Sequence, residues 1–305
     1  MMHATTSLKK LAKAILPAPA KSALARTYAG YKIRRAREAF VACRQGPTFL
    51  PVEFLDRFMC AGYRPPDPIR YDPEGLELRA REKVGILQQR VPLGKCHNCL
   101  ELGCWDGVVG KALVGVGKRA YGIDIRGEGF DRDARSAGVH FLQGDVRQIP
   151  LTNGSIDLVY SFAAFEHFRD LELVLAEVSR ILRGSGYLYL SFGPVYTSPY
   201  GLHAYRQIPV PYCHYLFSRE DLKLYANRHG LSCDWPFVNG ITVTQYRHLW
   251  KKFSKDFEVL YYKEHPTGAI GAEIIRSYPI CFRGNVEDVD DLFVSAIEIV
   301  LQKKE

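Results

Sequence analysis

A chain of 305 residues that is 47% hydrophobic can bury a full core, which excludes disordered and fibrous classes. Its net charge of +8 sits almost wholly in residues 1–50, where ten Lys and Arg meet a single acid, Glu38, while the remainder is close to neutral. No run of 18 apolar residues occurs, so no membrane-spanning helix is expected, and eight cysteines without a framework spacing read as reduced thiols of a cytoplasmic protein.

The first element is "SLKKLAKAIL". It places Leu8, Leu11, Ala12, Ile15 and Leu16 on one helical face and Lys9, Lys10 and Lys13 on the other, before Pro17 and Pro19 stop it. Residues 7–16 therefore have the form of a short helix lying peripherally on an anionic membrane. A solvated or packed basic extension and an acid-poor transit peptide remain open alternatives. Residues 27–60 read as helical, so 1–64 form a basic helical leader and 65–305 the main domain. "GYRPPDPIRYDP" is a turn-rich linker, and "GLELRAREKVGILQQRV" an amphipathic helix. "CHNC" at Cys96–Cys99 is half of a zinc pattern with no second half, so no metal site is expected.

From Cys96 short apolar strands alternate with helices. "CHNCLELG", "RAYGIDI", "VHFLQGD", "IDLVYSF" and "GYLYLSF" are strands, with helices over about 108–116 and in "LELVLAEVSRILR". "SREDLKLYANRHG" is a helix opened by a Ser218–Asp221 cap and closed by Gly230. "FEVLYYKE" and "LFVSAIEIVLQKK" supply the last strands. The pattern predicts an α/β, doubly wound, seven-stranded and mostly parallel Rossmann-like sheet, with an N-terminal helical extension and lid insertions.

In such a sheet, ligands bind beyond the carboxyl ends of the strands. The first turn there is "CLELGCWDGVVG", in which Gly103 allows a sharp bend and Gly107 a close backbone approach. Its G-x-x-x-G-x-x-G spacing is not the dinucleotide G-x-G-x-x-G, and Glu101 is a poor neighbour for a pyrophosphate. This turn suits a ligand carrying a cationic amine, and a nicotinamide oxidoreductase is disfavoured.

"LELGCWDG" resembles the first motif of class I S-adenosylmethionine-dependent methyltransferases of the type 11 kind. "YGIDI", "QGDVRQIPLTNGSIDLVYSFAAFEHF" and "LAEVSRILRGSGYLYLSFGP" resemble the motifs that follow, so the likeness covers residues 96–195. It implies S-adenosylmethionine as cofactor. Glu101, Gly103, Cys104 and Gly107 fall on its methionine-side loop, and Asp124 with Ile125 on the ribose acid. Asp145 with Val146 falls on the adenine edge, and Ser161 and Phe162 face the same cleft. Trp105 stands where the family usually has Gly, so its side chain must point away from the ligand or cover it.

The acceptor end is less specified. No N/D-P-P-Y/F tetrapeptide and no Pro-Cys pair follow the fourth strand, so a nucleic-acid acceptor is disfavoured despite the basic leader. The connection from Gly193 to Phe217 is long and rich in Tyr, Pro and His, which fits a lid over residues 193–217. Candidate bases are His203, His214 and His167, in that order, because an ordinary imidazole titrates near neutrality. The expected activity is O-methylation of a small-molecule or glycan acceptor. The alternatives are an S-adenosylmethionine-binding scaffold without turnover and, behind it, an RNA methyltransferase.

Overall fold

The computed structural model describes residues 18–65, 67 and 70–305, so the amphipathic stretch 7–16 lies outside the described residues. Seven strands form one sheet in the order β3-β2-β1-β4-β5-β7-β6. These are β1 (Asn98–Leu102), β2 (Arg119–Asp124), β3 (His140–Gln143), β4 (Ile156–Phe162), β5 (Leu182–Phe192), β6 (Phe257–Pro266) and β7 (Val294–Lys303). The first five pair in parallel, and β7 runs antiparallel to both β5 and β6. The strand order reverses between β1 and β4, which opens a crevice at their carboxyl ends. Every residue of β4 is buried, as expected for a parallel strand covered on both faces.

Helices fill the two faces. The amphipathic stretch before β1 is helix α3 (Pro73–Arg90), capped by Asp72, whose side chain accepts from the Gly75 N–H. It packs with α4 (Val108–Gly115), while α6 (Leu171–Ile181) buries Leu171, Val174, Leu175, Val178 and Ile181 under the other face. Two ion pairs fix α3. Arg79 binds Asp106 of the glycine turn, and Arg90 Nε binds Glu298 of β7 at 2.7 Å.

The expected helix over 27–60 is two helices, α1 (Ala18–Ala42) and α2 (Phe54–Met59). Gly46, Pro47 and Pro51 in the intervening segment cannot continue a helix. Phe40, Leu55 and Phe58 join Leu202, Ile208, Tyr212, Tyr215 and Phe217 in a second core beside the sheet. The segment expected as a lid is thus largely packed interior. Tyr212 Oη donates to the Leu292 carbonyl at 2.7 Å, and Tyr200 Oη to that of Arg64 at 2.8 Å. Helix α8 (Arg219–Arg228) has the expected cap, Ser218 Oγ accepting from the Asp221 N–H at 3.0 Å. Helix α9 (Val243–Lys252), opened by a Thr242–Gln245 capping box, was not read from the sequence.

At Gly107 the backbone is left-handed (φ 72°), and an added Cβ would lie 2.4 Å from the Phe141 ring. The glycine makes room for packing between the turn and β3 as well as for the bend. Gly117 has a similar φ of 80° with nothing within 4 Å. Gly107→Ala should therefore lose about 1–3 kcal/mol more than Gly117→Ala in urea denaturation, the excess being overpacking.

Candidate active site

The cleft is built where the turns after β1, β2, β4 and β5 converge. Gly103 (φ 68°) bends the first turn, and a Cβ there would lie 2.6 Å from the Cβ of Ala164, so the turns after β1 and β4 touch. Glu101, the next-to-last residue of β1, is buried, and Tyr160 Oη donates to its Oε2 at 3.3 Å. Burial raises its pKa, opposed by the Lys83 ammonium; burial lowers that of Lys83, opposed by Glu101. Lys83 projects from α3 one turn after Arg79, over the Phe162 ring, with Nζ 4.7 Å from its centroid. Glu101 and Glu166 both act on this ammonium electrostatically, yet among the described residues no carboxylate oxygen lies within 4 Å of it.

Asp124 ends β2 and is held by two backbone donors. The Trp105 N–H bonds its Oδ2 and the Arg126 N–H its Oδ1, each at 3.0 Å. A carboxylate oxygen has a second lone pair, so both can still accept from a ligand. Trp105 itself adopts φ 46°. Its ring lies against Gly129, with the Arg126 guanidinium 4.7 Å from its centroid, so it folds over the turn after β2. Ile125, beside Asp124, is exposed.

Other residues singled out in the sequence already have partners within the chain. The Cys104 thiol packs on Gly122, where an added Cβ would be 2.7 Å from Sγ, and burial pushes its pKa up. Ser161 Oγ donates to the Leu102 carbonyl at 2.9 Å, tying β4 to β1. Asp145 is gripped by Arg147 at 2.7 Å through Nη2, which holds its carboxyl below the usual range; Arg147 also binds Asp170. Val146 is buried beside it. All eight cysteines are free thiols, and burial raises the Cys96 and Cys99 pKa values to about 11 and 12.

At the other end of the cleft, His167 and His203 meet edge to face with centroids 4.8 Å apart. His167 Nδ1 lies 2.5 Å from the Phe237 carbonyl and His203 Nε2 2.8 Å from that of Pro194. A carbonyl only accepts, so those nitrogens carry the hydrogens, and His167 Nε2 and His203 Nδ1 are left with lone pairs. Burial lowers both pKa values, that of His203 to about 4. The titration near neutrality expected for His203 is therefore displaced downward, because its imidazolium would be buried.

Glu166 was missed in the sequence. It is fully buried, its Oε1 accepts from the Gly193 N–H at 3.0 Å, and Oε2 has no partner among the described residues. Burial raises its pKa to about 8. Its neighbour in "FEHF" drew attention as a histidine, whereas a Glu among aromatics reads as a helix start. Lys83 was missed because a lysine on an amphipathic helix is ordinarily assigned to solvent. His214 does not join the pair: its Nε2 donates to the Tyr196 carbonyl at 2.7 Å, and its Nδ1 is buried with no partner among the described residues.

Residues 100–190 match the family described as a methyltransferase domain. A malonyl-[acyl-carrier protein] O-methyltransferase of Serratia marcescens is 31% identical over 103 residues, which cover 32% of this chain and 40% of that protein. A fatty-acid O-methyltransferase of Mycolicibacterium smegmatis is 31% identical over 106 residues, 33% of this chain and 39% of the relative. The chain thus spans about two fifths of the length of the curated relatives it matches. Among solved structures, an S-adenosylmethionine-dependent methyltransferase from Mesorhizobium loti aligns at 17% identity with a TM-score of 0.47, over 74% of this chain and 99% of that one.

Burial lowers the His214 pKa from the ordinary 6.5 to about 4. A neutral imidazole favoured on folding contributes stability above pH 6.5 that is lost as pH falls through 4, at most about 3 kcal/mol. In thermal melts between pH 7 and pH 4, His214→Gln should show a shallower acid loss than the unaltered chain.

Proposed function

We propose that this chain, whose residues 100–190 match a methyltransferase-domain family, is a class I S-adenosylmethionine-dependent methyltransferase that methylates a hydroxyl oxygen of a small molecule or glycan. The observation that carries the choice of acceptor is the cluster of Glu166, His167 and His203. Two neutral imidazoles each keep a lone pair there, next to a carboxyl oxygen with no partner. Each imidazole lone pair calls for a donor, and a hydroxyl brings one. A carboxylate acceptor brings none, and taking its charge into this buried cluster costs desolvation free energy. Both relatives described above are named as O-methyltransferases, which supports oxygen as the methylated atom; the acceptors in those names are carboxylic acids, so the choice of a hydroxyl rests on the imidazole lone pairs alone.

The rest of the cleft fits the cofactor. The methionine end of S-adenosylmethionine is an amino-acid zwitterion, and the cleft presents an ammonium and a carboxylate that are not paired with each other. Lys83 would take the carboxylate and Glu101 the ammonium. Asp124, fixed by two backbone donors, would take the ribose hydroxyls. Ile125 offers apolar surface, and Asp145 with Val146 the adenine edge. When bound, the cofactor supplies a methyl group on a sulfonium. The protein's part is to hold the acceptor oxygen in line, to exclude water, and to draw the hydroxyl hydrogen toward the imidazole lone pairs.

The test is release of S-adenosylhomocysteine over matched hydroxylated and carboxylic acceptors. Turnover is expected on hydroxyl compounds, and turnover confined to carboxylic acids overturns the acceptor assignment. His203→Ala should keep cofactor affinity in calorimetry and lose about 10²-fold or more in kcat. Asp124→Ala should weaken cofactor binding by about 2–3 kcal/mol, the loss of hydrogen bonds to a charged group. Lys83→Met should weaken it by about 1.5–3 kcal/mol on the same grounds, whereas unchanged binding would remove Lys83 from the site.

A further inference from the structure

We propose that Glu166, His167 and His203 form a binding site for one divalent first-row transition ion, which takes the acceptor hydroxyl as a further ligand. The inference rests on the O-methylation reading for the role of the ion, but not for its binding. One ligand atom from each residue lies within 4.8 Å of the other two. Two imidazole nitrogens and a carboxylate oxygen suit ions such as Mn²⁺, Fe²⁺, Co²⁺ or Zn²⁺ better than Ca²⁺ or Mg²⁺, which prefer oxygen alone.

Three features distinguish this cluster from a chance meeting of side chains. Each imidazole donates one N–H to a backbone carbonyl, His167 Nδ1 to Phe237 and His203 Nε2 to Pro194, which leaves its opposite nitrogen with a lone pair. This is the outer bonding that orients metal-ligating histidines and selects the tautomer that presents a lone pair. The Glu166 carboxylate is fully buried and anchored on one side by the Gly193 N–H, and its Oε2 is unpartnered. The arrangement also comes from elements far apart in sequence, the turn after β4 and the connection after β5, where His203 adopts φ 59°. Cis ligands on such an ion stand about 3 Å apart, so the three side chains close inward by an ångström or so around it. The expectation of no metal site came from "CHNC", and these ligands are unrelated to it.

The chemistry then balances as follows. Coordination lowers the pKa of the acceptor hydroxyl, and its proton is lost to solvent. The oxygen lone pair forms the O–CH₃ bond as the S–CH₃ bond breaks. The bonding pair returns to sulfur, which leaves as a neutral thioether. No oxidant or reductant is involved. In this arrangement the two imidazoles are ligands rather than the final home of the proton.

The experiment is a Mn²⁺ titration of the chelator-treated full chain, read by the electron paramagnetic resonance signal of free Mn²⁺, with no cofactor or acceptor present. One saturable site per chain is expected. Its affinity should fall at least about tenfold in Glu166→Gln and in His203→Gln, while cofactor affinity by calorimetry stays unchanged as the check on folding. No saturable site in the unaltered chain, or equal affinity in both variants, overturns the site. A second arm compares S-adenosylhomocysteine release before and after chelation. Lost turnover restored by Mn²⁺ supports the proposed role. Mn²⁺ binding with turnover indifferent to chelation overturns that role and leaves the O-methylation reading standing.

Discussion

The close approach of Gly103 to Ala164 governs the geometry of this cleft. With no room for a side chain between them, the turn after β1 rests directly on the turn after β4. The first turn carries Glu101 and the backbone donor to Asp124; the second carries Glu166 and His167. Their contact fixes how far the charged end of the cleft stands from the acceptor-rich end. Ser161 reinforces it by bonding the Leu102 carbonyl beneath the same contact. A methyl transfer in which donor and acceptor must be collinear depends on that separation, and here backbone packing rather than flexible side chains sets it.

Helix α3 contributes a second constraint. It lies before the first strand, yet it delivers a cation over the end of β4. Arg79 pins its upper end to the glycine turn, and Arg90 its lower end to β7, where Tyr189 Oη also reaches Glu298 at 3.1 Å. Lys83 sits between these clamps and cannot easily swing out to water. Keeping an ammonium there without a carboxylate within 4 Å costs desolvation free energy. That cost is offset once a ligand of opposite charge arrives.

Most of the fold was legible because its signals are local. Strands β1 to β5 announce themselves by short apolar runs, and the acids at 101 and 124 by their places at strand ends. The Ser218 cap and the Gly230 stop are readable within a few residues. The acceptor end was only partly legible. His167 and His203 were visible singly, but their pairing depends on a connection that folds back through a second core. His214 ranked directly after His203 in the sequence, and tertiary packing is what turns its ring into the interior. Glu166 and Lys83 were hidden by the same rule, that charged residues belong outside. That rule fails where a site needs them. The aromatic stretch after Gly193 read as a lid because aromatics with polar tips serve equally well as core and as contact surface.

The residue in the glycine turn that departs from its neighbours' pattern has an optical consequence. Of the three tryptophans, Trp235 and Trp250 are buried at 7% and 6% exposure, while Trp105 is 37% exposed and lies under a guanidinium. Its backbone N–H is bonded to the carboxylate assigned to the ribose. The long-wavelength part of the intrinsic fluorescence therefore arises beside the cofactor cleft, from a single indole wired to it through one peptide group. With the proposed cofactor assignment, the protein would carry its own reporter of occupancy, readable as a binding isotherm on the unlabelled chain.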